Sequence, residues 1–506
     1  MDSGLGTVEQ YKMFIDGDKT DSSSGEEFQV SNPANGRAIA SVPLGSREDV
    51  KRAADAARRA QADWSDKPVA ERSRALFALA ELIRQNAETF IEVEMANHGS
   101  PIRKLRQVDV PGSAGMYEYY GSVARAILGE VNPLGPHVLD LTAKEPVGVA
   151  GLIIPWNFPL MMSSWKIAPA LAAGNTVVAK PASVTPLSLL IFAELAGRVL
   201  PKGVLNVVTG PGSIIGEEMV ANKNIDMVSL TGEIETGKRV MELAARNAKK
   251  SVMELGGKNP LVVLDDADIP AAVEGAVFGS FFNSGQVCAC SSRIYIHERL
   301  HEKFVKAFVK SSSRLVVSDP AKPETDLGPV VSFDHKRRVE GYIKRGLKEG
   351  AKLVLGGSVK EESLKEGAYI SPTIFDNATQ DMEMVQSEIF GPVSAVVGFQ
   401  NEEEGLEMAN GTIYGLACSV WSRDISRALR FARKVNAGTI WINEQSIVYP
   451  ETPWGGFKQS GIGKELSPHA LEEYIRLKHI QVDLTGLTRK PWYNLINPHP
   501  VAEGGE

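Results

Sequence analysis

Hydrophobic and polar positions follow two different patterns along this chain, and each pattern predicts a different kind of element. Within residues 70–90 the apolar residues Leu76, Leu79 and Ile83 recur at helical spacing, which predicts an amphipathic helix. Further along, short and nearly continuous apolar runs occupy residues 149–154, 176–179, 205–208 and 227–230. Runs of this kind between helical stretches predict parallel strands that helices cover on both faces.

A second series of apolar runs begins after residue 254, at residues 260–264, 293–296, 395–397 and 439–442. We therefore expect an α/β fold with two doubly wound parallel-sheet domains. Near the C-terminus Ile480, Val482 and Leu484 alternate with polar residues, which predicts a half-buried strand apart from the main sheets. This strand is a candidate for pairing with a neighbouring subunit.

Composition and charge exclude several classes of protein. The 506 residues include 55 basic and 62 acidic side chains, a formal net charge of −7, and no long basic run, so we expect no nucleic-acid partner. The three cysteines, Cys288, Cys290 and Cys418, are too few for a disulfide framework and favour a reducing compartment. No signal-like N-terminus or membrane-length apolar run is present, so we expect a cytoplasmic protein with no membrane partner.

Candidate catalytic chemistry begins with a cysteine in a polar turn. In the segment 281–290 (Phe-Phe-Asn-Ser-Gly-Gln-Val-Cys-Ala-Cys), small and amide residues precede Cys288 and could present a reactive thiolate. The alternative is a buried packing cysteine, which is how we interpret Cys418. In the segment 254–258 (Glu-Leu-Gly-Gly-Lys), Glu254 follows a short apolar run and is a candidate general base. The alternative for Glu254 is a solvated loop carboxylate.

An amide held between two prolines is the third candidate. In the segment 153–159 (Ile-Ile-Pro-Trp-Asn-Phe-Pro), two prolines stiffen the turn that carries Asn157. A fixed amide donor suits an oxyanion hole, although an Asn in such a place also serves ordinary turn geometry.

Five segments taken together resemble the aldehyde dehydrogenase superfamily. They are Pro-Trp-Asn at 155–157, Glu-Leu-Gly-Gly-Lys at 254–258, Gly-Gln-Val-Cys at 285–288, Glu-Ile-Phe-Gly-Pro at 388–392 and Pro-Trp-Gly-Gly at 453–456. Their order and spacing fit, and the resemblance covers nearly the whole chain. It implies a dinucleotide-binding domain at 1–127 and 147–256, a catalytic domain at 257–450, and a small β oligomerisation element at 128–146 and 470–492. A homodimer or homotetramer is therefore expected.

The resemblance implies the oxidation of an aldehyde to a carboxylic acid through a cysteine thiohemiacetal and thioester. It assigns Cys288 as nucleophile, Glu254 as general base, and Asn157 with the Cys288 backbone N–H as oxyanion hole. Lys166 and Glu465 match positions that move protons away from the base, with a surface ion pair as the alternative. A CoA-acylating relative, a semialdehyde-specific enzyme and a relative that lost its chemistry are the competing hypotheses. Glu254 favours water over a thiol as the acceptor.

For the cofactor, the resemblance implies NAD or NADP. The usual Gly-x-Gly-x-x-Gly fingerprint is absent, since the segment 210–216 has one extra residue. A carboxylate, Glu233, stands at the predicted pyrophosphate turn, so the pyrophosphate is expected to bind mainly through backbone and a helix N-terminus. Ser183 carries no charge that would repel a 2′-phosphate, and with Lys180 it should permit NADP. The full predicted cofactor set is Ile154, Pro155, Trp156, Lys180, Ser183, Gly212, Gly232, Glu233, Gly237, Leu255, Glu388 and Phe390.

An apolar, aromatic lining is implied for the aldehyde. The predicted residues are Phe158, Met161, Met162, Trp165, Phe282, Val287, Ala289, Val448 and Trp454. Such a lining could pack a hydrophobic tail or hold a cationic amine over ring faces, and it partly resembles aminoaldehyde and betaine aldehyde enzymes. The absence of an arginine among these positions weakens the semialdehyde hypothesis. No metal is predicted, because the acidic run 265–268 fits a helix cap and no His-Glu-x-x-His motif is present.

Overall fold

Two large sheets form where the sequence has its short apolar runs. The computed structural model describes residues 8–359, 361–487 and 489–499. The first sheet has eight strands in the order Gly461–Ile462, Lys250–Leu255, Met227–Gly232, Val149–Ile153, Thr176–Lys180, Leu205–Val207, Met13–Ile15 and Asp18–Thr20. Its five central strands are parallel, and the short strands at both edges are antiparallel. This sheet ends in a crevice at the carboxyl ends of its central strands.

The second sheet has seven strands. Their order is Lys352–Leu355, Thr373–Asp376, Val393–Phe399, Arg293–His297, Pro260–Val263, Ala417–Trp421 and Thr439–Ile442. All neighbours are parallel except the first pair, whose register shifts at a bulge. Apolar side chains of this sheet pack on both faces, in two separate buried clusters. The two sheets confirm the predicted fold class.

Two smaller sheets complete the β structure. Ile475–Asp483, Val138–Pro146 and Glu130–Asn132 form an antiparallel sheet. Glu9–Gln10, Ala38–Pro43 and Glu27–Ser31 form a mixed sheet, in which the first pair is parallel and the second antiparallel. The first of these sheets lies within the two predicted oligomerisation segments. The strand Gly461–Ile462 joins the eight-stranded sheet from a stretch that the predicted division leaves unassigned. The domain boundaries themselves stay a prediction.

Helices cover both faces of the large sheets. The α-helices are Arg47–Ser65, Val69–Gln85, Ala87–His98, Ile102–Lys104, Val110–Val123, Pro159–Ala172, Leu187–Ala196, Glu217–Ala221, Ile234–Ala245, Ile269–Phe281, Glu298–Ser312, Phe333–Lys348, Glu383–Gln386, Glu402–Asn410, Ile425–Ala432 and Ser467–Glu473. Short 3₁₀ segments occupy Ala124–Ala126, Phe282–Gly285, Glu362–Leu364, Lys458–Ser460 and Pro491–Leu495, and π turns occupy Leu105–Asp109 and Gly212–Gly216. Among the described residues, no helix is long and apolar enough to cross a membrane.

One predicted helix is divided in two. The pattern at 70–90 predicts a single helix, whereas the structure ends one at Gln85 and begins the next at Ala87, with Asn86 between them. Leu76, Leu79 and Ile83 are buried as predicted. The acidic run 265–268 caps a helix, as predicted. The Asp268 side chain accepts a hydrogen bond from the Ala271 backbone N–H at the start of the helix Ile269–Phe281.

Candidate active site

A cavity of about 560 Å³ opens at the carboxyl ends of the central strands of the first sheet. The last residues of these strands, or those directly after them, line it: Ile153, Ile154, Lys180, Gly232 and Leu255. Ligands of parallel sheets bind at this end of the strands because loops and helix N-termini meet there. Eleven of the twelve predicted cofactor residues line the cavity, as do Asn157, Glu254 and Cys288.

The loop that carries Cys288 has an unusual backbone. Asn283, Ser284 and Gly285 have positive φ values of 54°, 55° and 72° in succession. A side chain at Gly285 would also collide with the Gly391 carbonyl oxygen, 2.2 Å from the position of a Cβ atom. Such strained backbone persists only where surrounding contacts hold it. The loop turns Cys288, which is half-buried, toward the cavity.

Side-chain amides fix this loop from several sides. Asn157 Nδ2 donates to the Gln286 carbonyl at 3.1 Å, and Asn259 Nδ2 donates to the Cys288 carbonyl at 2.7 Å. Asn283 Nδ2 in turn donates to the Asn157 carbonyl at 2.9 Å, which ties the two loops together. Since each amide N carries two hydrogens, the bond to Gln286 leaves Asn157 one N–H for a further acceptor. These contacts hold the predicted oxyanion donor and the predicted nucleophile in fixed relative positions.

Glu254 is buried, with an exposed fraction of 1%. Trp454 Nε1 donates to its Oε1 at 3.3 Å, and its Oε2 has no hydrogen-bond partner among the described residues. The pKa of Glu254 is raised to about 8, mainly by burial and secondly by the nearby carboxylate of Glu465. The ammonium group of Lys166 lowers this pKa. The alternative of a solvated loop carboxylate is therefore wrong. A carboxyl group with such a pKa can exchange protons near neutral pH.

The Cys288 thiol approaches Glu254 closely enough for each group to affect the pKa of the other. Burial is the largest cause that raises the pKa of Cys288 above its usual value, followed by the charges of Glu254 and Glu388. The thiol is consequently held neutral until a base removes its proton. Cys418 is buried in the second sheet, as predicted.

Lys166 and Glu465 form a buried ion pair behind Glu254. Their exposed fractions are 0% and 4%, so the alternative of a surface ion pair is wrong. Lys166 Nζ also donates to Ser229 Oγ at 2.9 Å, and Ser229 lies near the Tyr474 hydroxyl. The pair extends a line of polar groups from Glu254 into the interior.

Glu388 and Phe390 line the cavity from the segment that precedes the strand Val393–Phe399 of the second sheet. Glu388 Oε1 accepts a hydrogen bond from the Gly257 backbone N–H at 3.0 Å, and burial raises the pKa of Glu388 to about 7. Phe390, with a positive φ of 60°, places its ring 5.0 Å from the ring of Trp156 in an edge-to-face contact. The Trp156 ring makes a second such contact, at 5.0 Å, with His335.

The predicted pyrophosphate turn is built around an ion pair that bridges the cavity. Glu233 precedes the helix Ile234–Ala245 and makes no side-chain cap to it, so the first N–H groups of this helix remain available. The Glu233 carboxylate instead contacts Arg338 Nη1 at 2.5 Å, and both residues line the cavity. Gly237 does not line the cavity. A Cβ there would lie 2.6 Å from the Leu255 side chain, so Gly237 allows the helix to pack closely on the sheet.

The predicted ribose residues line the same cavity. Ser183 Oγ donates to the Gly210 carbonyl at 2.9 Å. Lys180 Nζ is buried and donates to the Pro181 carbonyl at 3.0 Å, and burial lowers the pKa of Lys180 to about 8.

The predicted aldehyde residues come together in one hydrophobic cluster beside Cys288. Phe158, Met162, Trp165, Ala289 and Trp454 are buried, while Met161, Phe282, Val287 and Val448 are half-buried against them. The rings of Phe158 and Phe282 are 6.2 Å apart, and those of Trp165 and Trp454 are 6.4 Å apart. No group of three or more potential metal-ligating side chains occurs in the described part of the chain.

Sequence reasoning missed two basic residues of the cavity, His335 and Arg338. Both lie on the helix Phe333–Lys348, which packs against the second sheet. They reach the cavity only because the two sheets and their helices pack against each other. In the sequence they stand among other charged residues of an amphipathic helix. No local signal distinguishes them.

Comparisons with known proteins agree with this geometry. The sequence profile of the aldehyde dehydrogenase family matches residues 19–480. A betaine aldehyde dehydrogenase from Bacillus subtilis is 43% identical over 474 residues, which are 92% of this chain and 96% of that protein. The NAD+ complex of betaine aldehyde dehydrogenase from Staphylococcus aureus superposes with a TM-score of 0.93 at 38% identity, over 96% of this chain and 97% of the other. The NAD+ complex of an aldehyde dehydrogenase from Bacillus cereus superposes with a TM-score of 0.92 at 40% identity, over 94% and 97%.

These similarities extend over nearly the whole length of each chain, and they include the segments that carry the five motifs. They confirm the predicted fold class and the predicted reaction, the oxidation of an aldehyde through a cysteine. The chain belongs to the aldehyde dehydrogenase family.

Proposed function

We propose that Cys288, Glu254 and Asn157 carry out NAD-dependent oxidation of an aldehyde to its carboxylic acid. The observation that carries this proposal is the convergence of a half-buried thiol, a buried carboxyl and a fixed amide on one cavity at the carboxyl ends of a parallel sheet. Residues this far apart in sequence meet there only because of the fold.

In the first half of the reaction Glu254 accepts the proton of the Cys288 thiol, and the sulfur forms a bond to the aldehyde carbon. The carbonyl oxygen takes up the negative charge, which the free N–H of Asn157 and the Cys288 backbone N–H stabilise. NAD, when bound, supplies the acceptor for the hydride that leaves this carbon. The product on the protein is a thioester of Cys288, whose carbon has been oxidised by two electrons.

Before the second half Glu254 gives up the proton that it took from the thiol. It then removes a proton from water as the water oxygen attacks the thioester carbon. The C–S bond breaks, the Cys288 thiolate is released, and the carboxylic acid leaves. The proton on Glu254 has an exit through the buried pair of Lys166 and Glu465, which continues to Ser229. The presence of a buried carboxyl base favours hydrolysis over transfer to a thiol such as CoA.

The cavity suits a dinucleotide. It offers an uncapped helix N-terminus and Arg338 for phosphate, a carboxyl group at Glu388 for ribose hydroxyls, and aromatic rings near Cys288. The neighbours from Staphylococcus aureus and Bacillus cereus were solved with NAD+. NADP is a second candidate, because Ser183 presents a hydroxyl where a carboxylate would repel a 2′-phosphate.

We also propose a homodimer or homotetramer that associates through the strand Ile475–Asp483. Eight of its nine residues are exposed, and they include the apolar Leu477, Ile480 and Val482. Val131, on the strand Glu130–Asn132 at the opposite edge of this sheet, is exposed as well. Exposed apolar residues on the edge of a sheet are typical of a subunit interface. Light scattering of the native protein tests this proposal, and a monomer at micromolar concentration would refute it.

Substitution of the three cavity residues tests the catalytic assignment. Cys288→Ala should abolish aldehyde-dependent NAD reduction, while Cys418→Ala, its control in the second sheet, should retain it. Glu254→Gln should stop steady turnover, because both the thiol and the water need a base. Full activity of Cys288→Ala would contradict the assignment. For the cofactor, Ser183→Glu should lower the NADP to NAD ratio of kcat/KM, and an unchanged ratio would count against the ribose argument.

A further inference from the structure

A buried ammonium group stands against the aromatic lining of the predicted aldehyde pocket. Lys104 ends the short helix Ile102–Lys104, and its side chain is only 6% exposed. Its Nζ forms an ion pair with Asp109 and donates to Ser100 Oγ at 3.1 Å. A lysine this deeply buried is uncommon, and it needs strong partners to remain there.

Two of these partners are rings of the pocket itself. Lys104 Nζ lies 4.3 Å from the centroid of the Phe158 ring and 5.9 Å from that of the Phe282 ring. Both distances lie within the range in which a cation is attracted by the negative face of an aromatic ring. The two rings, 6.2 Å apart, therefore already interact with a positive charge supplied by the protein.

Asp109, the anionic partner of Lys104, and the two aromatic rings together would suit a cationic ligand. Asp109 is fully buried, and its Oδ1 has no hydrogen-bond partner among the described residues. A carboxylate together with aromatic faces is the combination that binds organic ammonium groups. Lys104 already neutralises the Asp109 carboxylate, so a second cation beside these rings would be repelled by the first.

Glu94 is a further buried carboxyl near Lys104 and Asp109, and burial raises its pKa to about 7, which favours its neutral form. Lys104 and Phe282 also line a cavity of about 350 Å³, together with Arg103, Asp326 and Glu274. Arg103 and Asp326 form an ion pair with each other, and Glu274 is the one acidic side chain of this lining without a basic partner in the described ion pairs. The charge that touches the rings is that of Lys104.

We propose that Lys104 fills, as an internal ammonium, the cation-binding position of the aldehyde pocket. The enzyme then selects uncharged aldehydes over aldehydes that carry a quaternary or protonated amine. This inference rests on the proposed aldehyde oxidation, and it makes Lys104 a specificity residue rather than a catalytic one. It separates the substrate of this chain from the one that names its betaine aldehyde dehydrogenase relatives.

Two aldehydes of the same shape test the proposal. Betaine aldehyde and 3,3-dimethylbutanal differ in that a positively charged nitrogen replaces a carbon, so their kcat/KM ratio isolates the effect of charge. For the wild-type enzyme with NAD we expect the ratio to favour 3,3-dimethylbutanal by about tenfold or more. Equal or better use of betaine aldehyde would overturn the inference and leave the proposed function intact. If NAD reduction occurred with neither of these aldehydes nor with a wider panel, the proposed function itself would fail.

Variants then assign the effect to the ammonium group. Lys104→Met keeps a long apolar side chain and leaves the Asp109 carboxylate free, so the ratio should move toward betaine aldehyde by about tenfold or more. Tetramethylammonium should become a competitive inhibitor of this variant against the aldehyde. The matched control is Lys202→Met, which removes an exposed lysine paired with Asp18 at 3.0 Å and should leave the ratio unchanged.

A second variant tests the proposal if Lys104→Met does not fold. The double variant Lys104→Met/Asp109→Asn removes both buried charges, and its preference should depend on shape alone, with a ratio close to one. A double variant that retains the wild-type ratio would contradict the proposal, because the preference would then have another source.

Discussion

Replacing Glu254, the buried base, with glutamine should raise the free energy of unfolding, and this gain should grow as the pH rises. Burial raises the pKa of Glu254 from its usual 4.5 to about 8. Between these two values the native protein keeps the proton of Glu254, whereas the unfolded chain has released it. Raising the pH therefore favours the unfolded state, and this group lowers the free energy of unfolding over that window.

The size of the effect follows from the shift. One pH unit corresponds to about 1.4 kcal/mol, so between pH 5 and pH 8 the contribution of Glu254 falls by about 4 kcal/mol. In Glu254→Gln the side chain keeps its shape but has no proton to release. The variant should therefore not show this fall in the free energy of unfolding as the pH rises. The variant should match the wild type near pH 5 and exceed it by about 4 kcal/mol at pH 8.

Urea unfolding of both proteins at each pH measures this difference. The protein concentration must be held constant, because association of subunits shifts the apparent stability. Glu92→Gln, at an exposed helical position, is the control and should give only a small difference from wild type. A stability difference between Glu254→Gln and wild type that stays constant from pH 5 to pH 8 would refute the reasoning.

Three further predictions rest on single contacts or on the same titration. Since the base must be ionised and its pKa is about 8, steady turnover should rise by about tenfold from pH 7 to high pH, as a pH profile of kcat would measure. Glu233→Gln frees Arg338 from its ion pair and removes a charge that repels phosphate, so fluorescence titration should show several-fold tighter NAD binding, most clearly at low salt. Gly237→Ala places a methyl group 2.6 Å from the Leu255 side chain and should lower the free energy of unfolding by about 1–3 kcal/mol, as urea midpoints would show.

The sequence predicted eight strands of the two large sheets, because each is a buried apolar run with its own local signal. The run at 227–230, for example, lies within the strand Met227–Gly232. Three interior strands, Lys250–Leu255, Thr373–Asp376 and Ala417–Trp421, were not among the predicted runs. The edge strands Gly461–Ile462 and Asp18–Thr20 could not be predicted, since two or three residues carry no periodicity and their pairing is set by distant partners. The break at Asn86 was missed for a related reason, because apolar spacing continues through it.

The site could be predicted where a motif places the residue at the end of a strand or in the turn after it, as for Glu254 and Asn157. Residues that reach the site through packing of separate elements could not. Arg338 comes from a helix of the other sheet, and Lys104 stands in the sequence among Arg103 and Arg106 like part of a solvated basic face. Its burial depends on Asp109, which the π turn Leu105–Asp109 brings back toward it.

Two buried ionisable groups thus border the aldehyde pocket, and their partners differ in a way that matches their proposed tasks. Lys104 is held by a carboxylate, a hydroxyl and two rings, which suits a fixed charge, whereas Glu254 has one weak donor, Trp454, and an unpartnered oxygen, which suits a group that exchanges protons. Trp454→Phe keeps the ring but removes the N–H that lowers the pKa of Glu254, so the pH profile of kcat should move to higher pH. Lys104→Met should instead change the substrate ratio. A profile unmoved by Trp454→Phe would show that this hydrogen bond does not set the proton affinity of the base.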